Sequence, residues 1–158
     1  MSAATAQASI EIAAPPELVY DLVANVPEMG AWAAEVERLK WLDGATGPAV
    51  GARFRGVNQH RGRRWAKLCR VTAAEPGRRF EFHAYTAGLP HATWRYDIEP
   101  TAGGCRVTES TRRLSPRRLT VLFNRVALGV RDRDEHNQRN IERTLAQLKE
   151  HAEAAVTA

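Results

Sequence analysis

The stretch that decides the fold is Thr93-Trp94-Arg95-Tyr96-Asp97-Ile98-Glu99-Pro100-Thr101-Ala102-Gly103-Gly104-Cys105-Arg106-Val107-Thr108-Glu109. In its first half Trp94, Tyr96 and Ile98 alternate with Arg95, Asp97 and Glu99, the period of a strand with one buried face. Pro100 and Gly103-Gly104 make a turn, and Cys105 and Val107 then alternate with Arg106 and Thr108. The pattern is an antiparallel hairpin. Because side chains two apart share a face, the apolar set Cys105 and Val107 carries Glu109 and Thr111 inward with it.

The same signature extends upstream. Val36–Leu42, Arg53–Gln59, Trp65–Ala73, Arg79–Tyr85 and Ala92–Glu99 read as strands separated by Asp43-Gly44, Arg61-Gly62-Arg63, Glu75-Pro76-Gly77 and Gly88-Leu89-Pro90, with Cys105–Arg113 the last of the series. Before them, Ile10 and Ile12 mark a first strand over Ala8–Ala14. Pro15-Pro16 ends it, and Leu18, Val19, Leu22 and Val23 form the stripe of a short helix, with a second short helix at Pro27–Trp32. After Pro116 the period becomes helical. Val130, Asp134, Asn137, Ile141, Leu145, Leu148, Ala152 and Ala155 share one face of a long helix starting near Arg131. The expected architecture is α+β: one seven-stranded curved antiparallel sheet, two short helices after strand 1, and a long C-terminal helix covering the sheet. Residues 1–7 are expected to be extended or disordered, and 8–155 to form a single domain.

Composition is compatible with this. With 158 residues, 44% hydrophobic and 26% charged, the chain resembles an ordinary globular domain, and no apolar run approaches the ~20 residues of a membrane span. The start lacks the basic and apolar regions of a signal peptide, and two cysteines, Cys69 and Cys105, are too few for a disulfide scaffold. A cytoplasmic location, with both thiols behaving as small apolar groups, is expected. The net charge of +5 is regional: residues 53–70 hold seven bases and no acid, and residues 112–133 hold seven bases against Asp132 alone. Such stretches suit either a solvated hairpin surface or an anionic partner.

Several phrases resemble the polyketide cyclase/dehydrase and lipid-transport group of the SRPBCC (START-like, helix-grip) superfamily. They are I-x-I-x-A-P-P-E-x-V-Y-D-L-V-A from Ile10 to Ala24 and W-L-D-G-A-T-G-P-A-V-G-A-R-F-R-G from Trp41 to Gly56. Further on stand R-W-A-K-L-C-R-V-T from Arg64 to Thr72, the hairpin quoted above, and T-L-A-Q-L-K from Thr144 to Lys149. The resemblance covers about residues 8–153. It implies a bent sheet wrapped around the last helix, with a cavity between them used across the superfamily for lipids, sterols and polyketides. It implies no shared cofactor and no universal catalytic motif, since one fold hosts many activities.

Strand alternation then names a lining. Trp41, Phe54, Trp65, Phe82, Trp94 and Tyr96 are the apolar candidates for ligand contact, and Asn58, Lys67, Glu109, Asp134 and Asn137 the polar ones, with Asn58, Glu109 and Asn137 expected to orient the ligand. The aromatic residues suit a filled core equally well. Glu109 is the candidate for proton transfer, because a carboxyl among Trp94, Tyr96 and Val107 loses hydration and its pKa rises unless Lys67 or an arginine pairs with it. An ion pair at the cavity mouth is the competing reading. His60, His83, His91, His136 and His151 lack the i, i+4 spacing of a helical zinc site, so no metal is expected, and His136 falls beside the core stripe, toward solvent.

The leading reading is a binder or carrier of a hydrophobic small molecule, without a cofactor, as a monomer or homodimer. A polyketide cyclase or dehydratase using Glu109, with Lys67 or Asn58 stabilising an enolate oxygen, is the alternative. A protein- or RNA-interaction module using the stretches 53–70 and 112–133 ranks third, with nucleic acid disfavoured. Residues 114–133, where Leu119, Leu122, Phe123 and Val126 stand among Arg117, Arg118 and Arg125, are expected to form either an amphipathic lid that touches anionic lipid or a buried helical cap.

Overall fold

The structure, a computed structural model, describes residues 4–114 and 133–158. The element order is β1 (Ala6–Ile12), α1 (Pro16–Ala24), a 3₁₀ helix (Val26–Ala31), β2 (Val36–Trp41), β3 (Arg53–His60), β4 (Arg63–Glu75), β5 (Arg79–Thr86), β6 (Leu89–Thr101), β7 (Gly104–Arg113) and α2 (Arg133–Thr157). This is a helix-grip α+β fold. The segment read as a lid or cap lies almost wholly outside the described residues.

The seven strands form one antiparallel sheet in the order β1-β7-β6-β5-β4-β3-β2. β2 to β7 therefore run as a meander, and β1 closes the far edge against β7. Register shifts at Val36/Arg38, Val71/Ala73 and Ala84/Tyr85 add local twist on β2, β4 and β5, which bends the sheet. The concave face carries the alternating apolar sets: Phe54, Cys69, Val71, Phe80, Tyr96, Ile98, Cys105 and Val107 are all buried. On the outer face, Arg79 donates to Asp97 at 2.6 Å and Thr72 to Glu81 at 2.8 Å. Alternation thus sorts the two faces as the periodicity requires.

β6 is longer than the pattern predicts. Pro90 and Pro100, both read as breaks, lie inside it opposite Tyr85 and Cys105. Each stands close to a strand end, Pro90 beside the Ala84/Tyr85 shift, where a missing N–H does not interrupt a continuous ladder.

In α1, Pro16 occupies the first turn with Glu17 beside it, and Val19, Tyr20, Val23 and Ala24 are buried. α2 lays Ile141, Leu145, Leu148 and Ala152 onto the core at about 0–1% exposure. Two residues on that stripe differ from expectation. Ala155 is exposed because the sheet no longer covers the final turn, and Asp134 is only half-buried, paired with Arg113 at the end of β7. No helix among the described residues is long and apolar enough to cross a membrane.

Candidate functional site

Between the concave face and the N-terminal half of α2 lies a cavity of ≈ 100 Å³. β3 contributes Phe54 and Asn58, β4 Lys67 and Cys69, β5 Phe82, β6 Trp94 and Tyr96, and β7 Glu109. α2 adds Asn137, Asn140, Ile141 and Thr144, and the chain from the 3₁₀ helix to β2 adds Met29 and Glu35. Strand pairing fixes this convergence: Phe54 lies opposite Cys69, Gly56 opposite Lys67, and Tyr96 opposite Glu109.

Of the ten residues named from sequence for the ligand or the chemistry, eight line this space: Phe54, Asn58, Lys67, Phe82, Trp94, Tyr96, Glu109 and Asn137. Trp41 and Trp65 do not. Trp41 packs edge-on against Phe54, centroids 5.6 Å apart, and so backs the wall instead of forming it. Trp65 stands opposite Asn58 near the outer end of the β3–β4 hairpin. Asp134, a further polar candidate, is occupied by Arg113.

The polar chemistry concentrates at β6–β7. Glu109 is 3% exposed, and Tyr96 Oη donates to its Oε1 at 2.9 Å. Burial pushes the Glu109 carboxyl up to about 8, opposed by the Tyr96 hydrogen bond, which favours the ionised form. The acid form therefore prevails at neutral pH. The Tyr96 phenol is held well above its ordinary value by burial and by the neighbouring carboxyl. These effects describe a desolvated acid and not an ion pair at a cavity mouth. Glu109 Oε2 and Asn137 Oδ1 are both buried without a hydrogen-bond partner among the described residues, and both residues line the cavity. Cys69, on the same wall, has its thiol pushed up to about 12 by burial, so it offers no thiolate nucleophile.

A second cluster escaped the sequence reading. His136, expected in solvent, is 8% exposed and its Nε2 contacts Glu35 Oε1; His60 Nδ1 lies 3.0 Å from the same oxygen. The expectation fails because the first turns of α2 are covered on two sides, by the chain before β2 and by the end of β3. Sequence spacing could not reveal the cluster, since Glu35 and His136 are 101 positions apart. Trp32 was missed too. It is 2% exposed and meets Tyr96 edge-on, centroids 6.2 Å apart, bracing the phenol that holds Glu109.

Of the seven bases between residues 53 and 70, Lys67 faces the cavity, whereas Arg53 and Arg64 reach outward to Asp43 and Glu37, each at 2.7 Å. The remaining bases of the hairpin lie on the outer face or at its turn and are exposed.

Comparison with known proteins identifies the fold and the family. The polyketide-cyclase-like protein Cgl2372 of Corynebacterium glutamicum is 30% identical, with 99% of this chain and 96% of that one covered and a TM-score of 0.63. TTHA0849 of Thermus thermophilus, at 24% identity, covers 95% and 97% with a TM-score of 0.66. NE0264 of Nitrosomonas europaea, at 18%, covers 99% and 100% with a TM-score of 0.68. These last two share the fold. No curated protein matches the chain. The profile described as polyketide cyclase / dehydrase and lipid transport matches residues 3–153, nearly the whole sequence, and the chain belongs to that family.

Proposed function

We propose that this protein binds a hydrophobic small molecule bearing an oxygen-containing polar group, with an apolar end in the cavity between sheet and α2. The observation that carries this reading is the pair of buried, unpartnered polar atoms, Glu109 Oε2 and Asn137 Oδ1, in a cavity whose apolar wall includes Phe54, Phe82, Trp94 and Ile141. A buried polar atom without a partner costs about 1–3 kcal/mol, which a ligand hydroxyl, carbonyl or carboxyl can offset. With Glu109 in its acid form, Oε2 offers a proton to an acceptor and Asn137 Oδ1 accepts from a donor.

Size narrows the class. Pockets for drug-sized ligands occupy roughly 300–1,000 Å³, whereas an apolar cavity of about 150 Å³ takes one benzene ring. A cavity of ≈ 100 Å³ is smaller than that and suits a short acyl terminus or the edge of a ring, with the remainder of a lipid or polyketide extending toward the rim.

One observation favours an enzymatic variant of this reading. A carboxyl with a pKa of about 8 is poised to give or take a proton at neutral pH, as cyclisation and dehydration of a polyketide require. In that variant Glu109 transfers the proton, and Lys67 or Asn58, on the facing strands, stabilises the enolate oxygen.

Native mass spectrometry of the protein purified from its own host tests the binding reading, followed by tryptophan-fluorescence titration with an aromatic polyketide and with a long-chain fatty acid. The expected result is a co-purified hydrophobic adduct, or saturable quenching by one probe that Glu109→Gln weakens. Absence of any adduct together with flat titrations by both probes overturns it.

A further inference from the structure

Glu35, His60 and His136 cluster beside the cavity, which Glu35 lines, and come from three elements distant in sequence: the chain before β2, the last residue of β3, and the first turns of α2. Their ligand atoms all lie within 4.8 Å of one another. His60 Nδ1 is 3.0 Å from Glu35 Oε1, and His136 Nε2 reaches the same oxygen. The two imidazole rings meet edge-on, centroids 4.4 Å apart at 76°, so both direct a nitrogen toward one carboxylate.

We propose that Glu35, His60 and His136 form a binding site for a divalent first-row metal ion, zinc foremost, beside the cavity. Two imidazoles and one carboxylate are the donor set of three-ligand zinc sites that keep an open position, and the absence of a thiolate argues against soft monovalent ions. A tetrahedral ion with bonds of about 2.0–2.1 Å separates its ligand atoms by about 3.3 Å, so the present spacing needs only small side-chain adjustments to admit one. The set carries one negative charge when both rings are neutral, which a divalent cation more than neutralises.

The backbone holds the three ligands in register. Glu35 adopts a left-handed conformation, φ 64°, which a non-glycine residue enters only when its surroundings impose it. Those surroundings are explicit: the Glu35 carbonyl accepts from the N–H of Gln59, next to His60, at 2.9 Å, and the Ala34 N–H donates to Thr144 Oγ1 on α2 at 2.9 Å. Asn140, one turn after His136, places its amide 3.2 Å from Nε2, a contact that the ion would displace, leaving the amide free to meet an exchangeable ligand. Glu35 and Asn140 both line the cavity, so the remaining coordination positions of the ion border the space proposed for the small molecule. The metal site does not depend on that proposal and is tested without any organic ligand.

The test uses tag-free full-length protein stripped with a chelator, then equilibrated with Zn²⁺ for stoichiometry and with Co²⁺ for its visible ligand-field spectrum. One equivalent per chain is expected. His60→Ala and His136→Ala should each weaken binding by more than the ~10–100-fold that loss of an outer partner costs, and Glu35→Gln should weaken it as well. Far-UV circular dichroism of the metal-free His60→Ala protein checks that the fold is kept, since His60 is only partly buried. A measurement on the unaltered chain supports the variants: one equivalent of Zn²⁺ should shift the ring NMR signals of His60 and His136 and leave those of His83, His91 and His151 in place. Failure to take up a stoichiometric ion, or retention of a full equivalent by the His60→Ala/His136→Ala double variant, overturns the assignment.

Discussion

Tyr96 and Glu109 face each other directly across β6 and β7, and the phenol donates to the carboxyl at 2.9 Å inside the sheet's concave face. Cross-strand pairing makes this contact independent of side-chain luck: any register that buries Ile98 opposite Val107 also buries the acid beside the phenol. A hydrogen bond of this kind lowers a carboxyl pKa, yet desolvation outweighs it here, and the net result is an acid with a pKa of about 8.

That value makes Glu109 a source of pH-dependent stability. The folded-state pKa lies above the ordinary 4.5, so between roughly pH 4.5 and 8 the folded chain holds a proton that the unfolded chain releases. Its stabilisation is complete below about pH 4.5, declines as pH rises through this window, and stays lost above about 8, with a slope approaching 1.4 kcal/mol per pH unit. Glu109→Gln keeps the shape and removes the titration. Urea melts from pH 5 to 9 should show the difference between wild type and Glu109→Gln shifting toward the variant as pH rises; parallel curves would falsify a raised pKa at this site.

Tyr96→Phe probes the other end of the same contact. The variant loses a buried hydrogen bond to a neutral acid below pH 8 and to a carboxylate above it. Its expected destabilisation is about 1 kcal/mol near pH 6, growing toward about 2–3 kcal/mol near pH 9, since bonds to charged groups are the stronger ones. The Glu109 pKa should move further up, because the one interaction favouring its ionised form is gone. NMR titration of the Glu109 carboxyl reads this directly, and a downward shift would contradict the assignment.

Asn137→Leu sets function against stability. Asn137 is 8% exposed on the face of α2 that looks into the cavity, with Oδ1 unpartnered among the described residues. Replacing the amide by an apolar group of similar size removes an uncompensated polar burial and should stabilise the protein by about 1 kcal/mol. The same change should weaken a ligand that bonds to that oxygen by roughly 5–10-fold, corresponding to one lost hydrogen bond of ~1 kcal/mol. Thermal melting and fluorescence titration together decide it: a destabilised variant that binds normally would assign Asn137 to packing alone.

The faces of the sheet were legible in the sequence because a period of two is a local property, and it placed Glu109, Tyr96 and Trp94 on the cavity side without any knowledge of the fold's closure. Alternation tells which side a residue faces but not how far along the strand the cavity extends. That is why Trp41 and Trp65 share the correct face and still fall outside the lining. Residues delivered by irregular backbone left no periodic signal. Met29 and Trp32 come from a 3₁₀ turn and its end, and Glu35 from a left-handed residue just before β2. The Glu35–His60–His136 cluster joins one such residue to the end of a strand and the start of a helix, a meeting that only the tertiary structure creates. A helix stripe drawn for one flat neighbour misplaces His136, because at that turn the helix has two.

Gly104 opens β7 at φ 153°, and a Cβ there would stand 2.1 Å from the carbonyl oxygen of Ile12 and 2.8 Å from the amide of Ala14. Both obstacles are backbone atoms at the end of β1, the strand whose only partner in the sheet is β7. Neither can withdraw without loosening the Ile12–Cys105 pairing. Gly104→Ala should therefore combine steric overlap with backbone strain and destabilise the fold by about 3 kcal/mol or more, lowering the melting temperature by roughly 6–12 °C. Gly62, at φ 76° in the β3–β4 turn, has no atom within 4 Å of the corresponding Cβ position, so Gly62→Ala carries only the conformational term of about 1–2 kcal/mol. Differential scanning calorimetry of the two variants separates clash from strain. Equal losses would mean that the β1 edge gives way easily, and that the seventh strand is less firmly held than its pairing suggests.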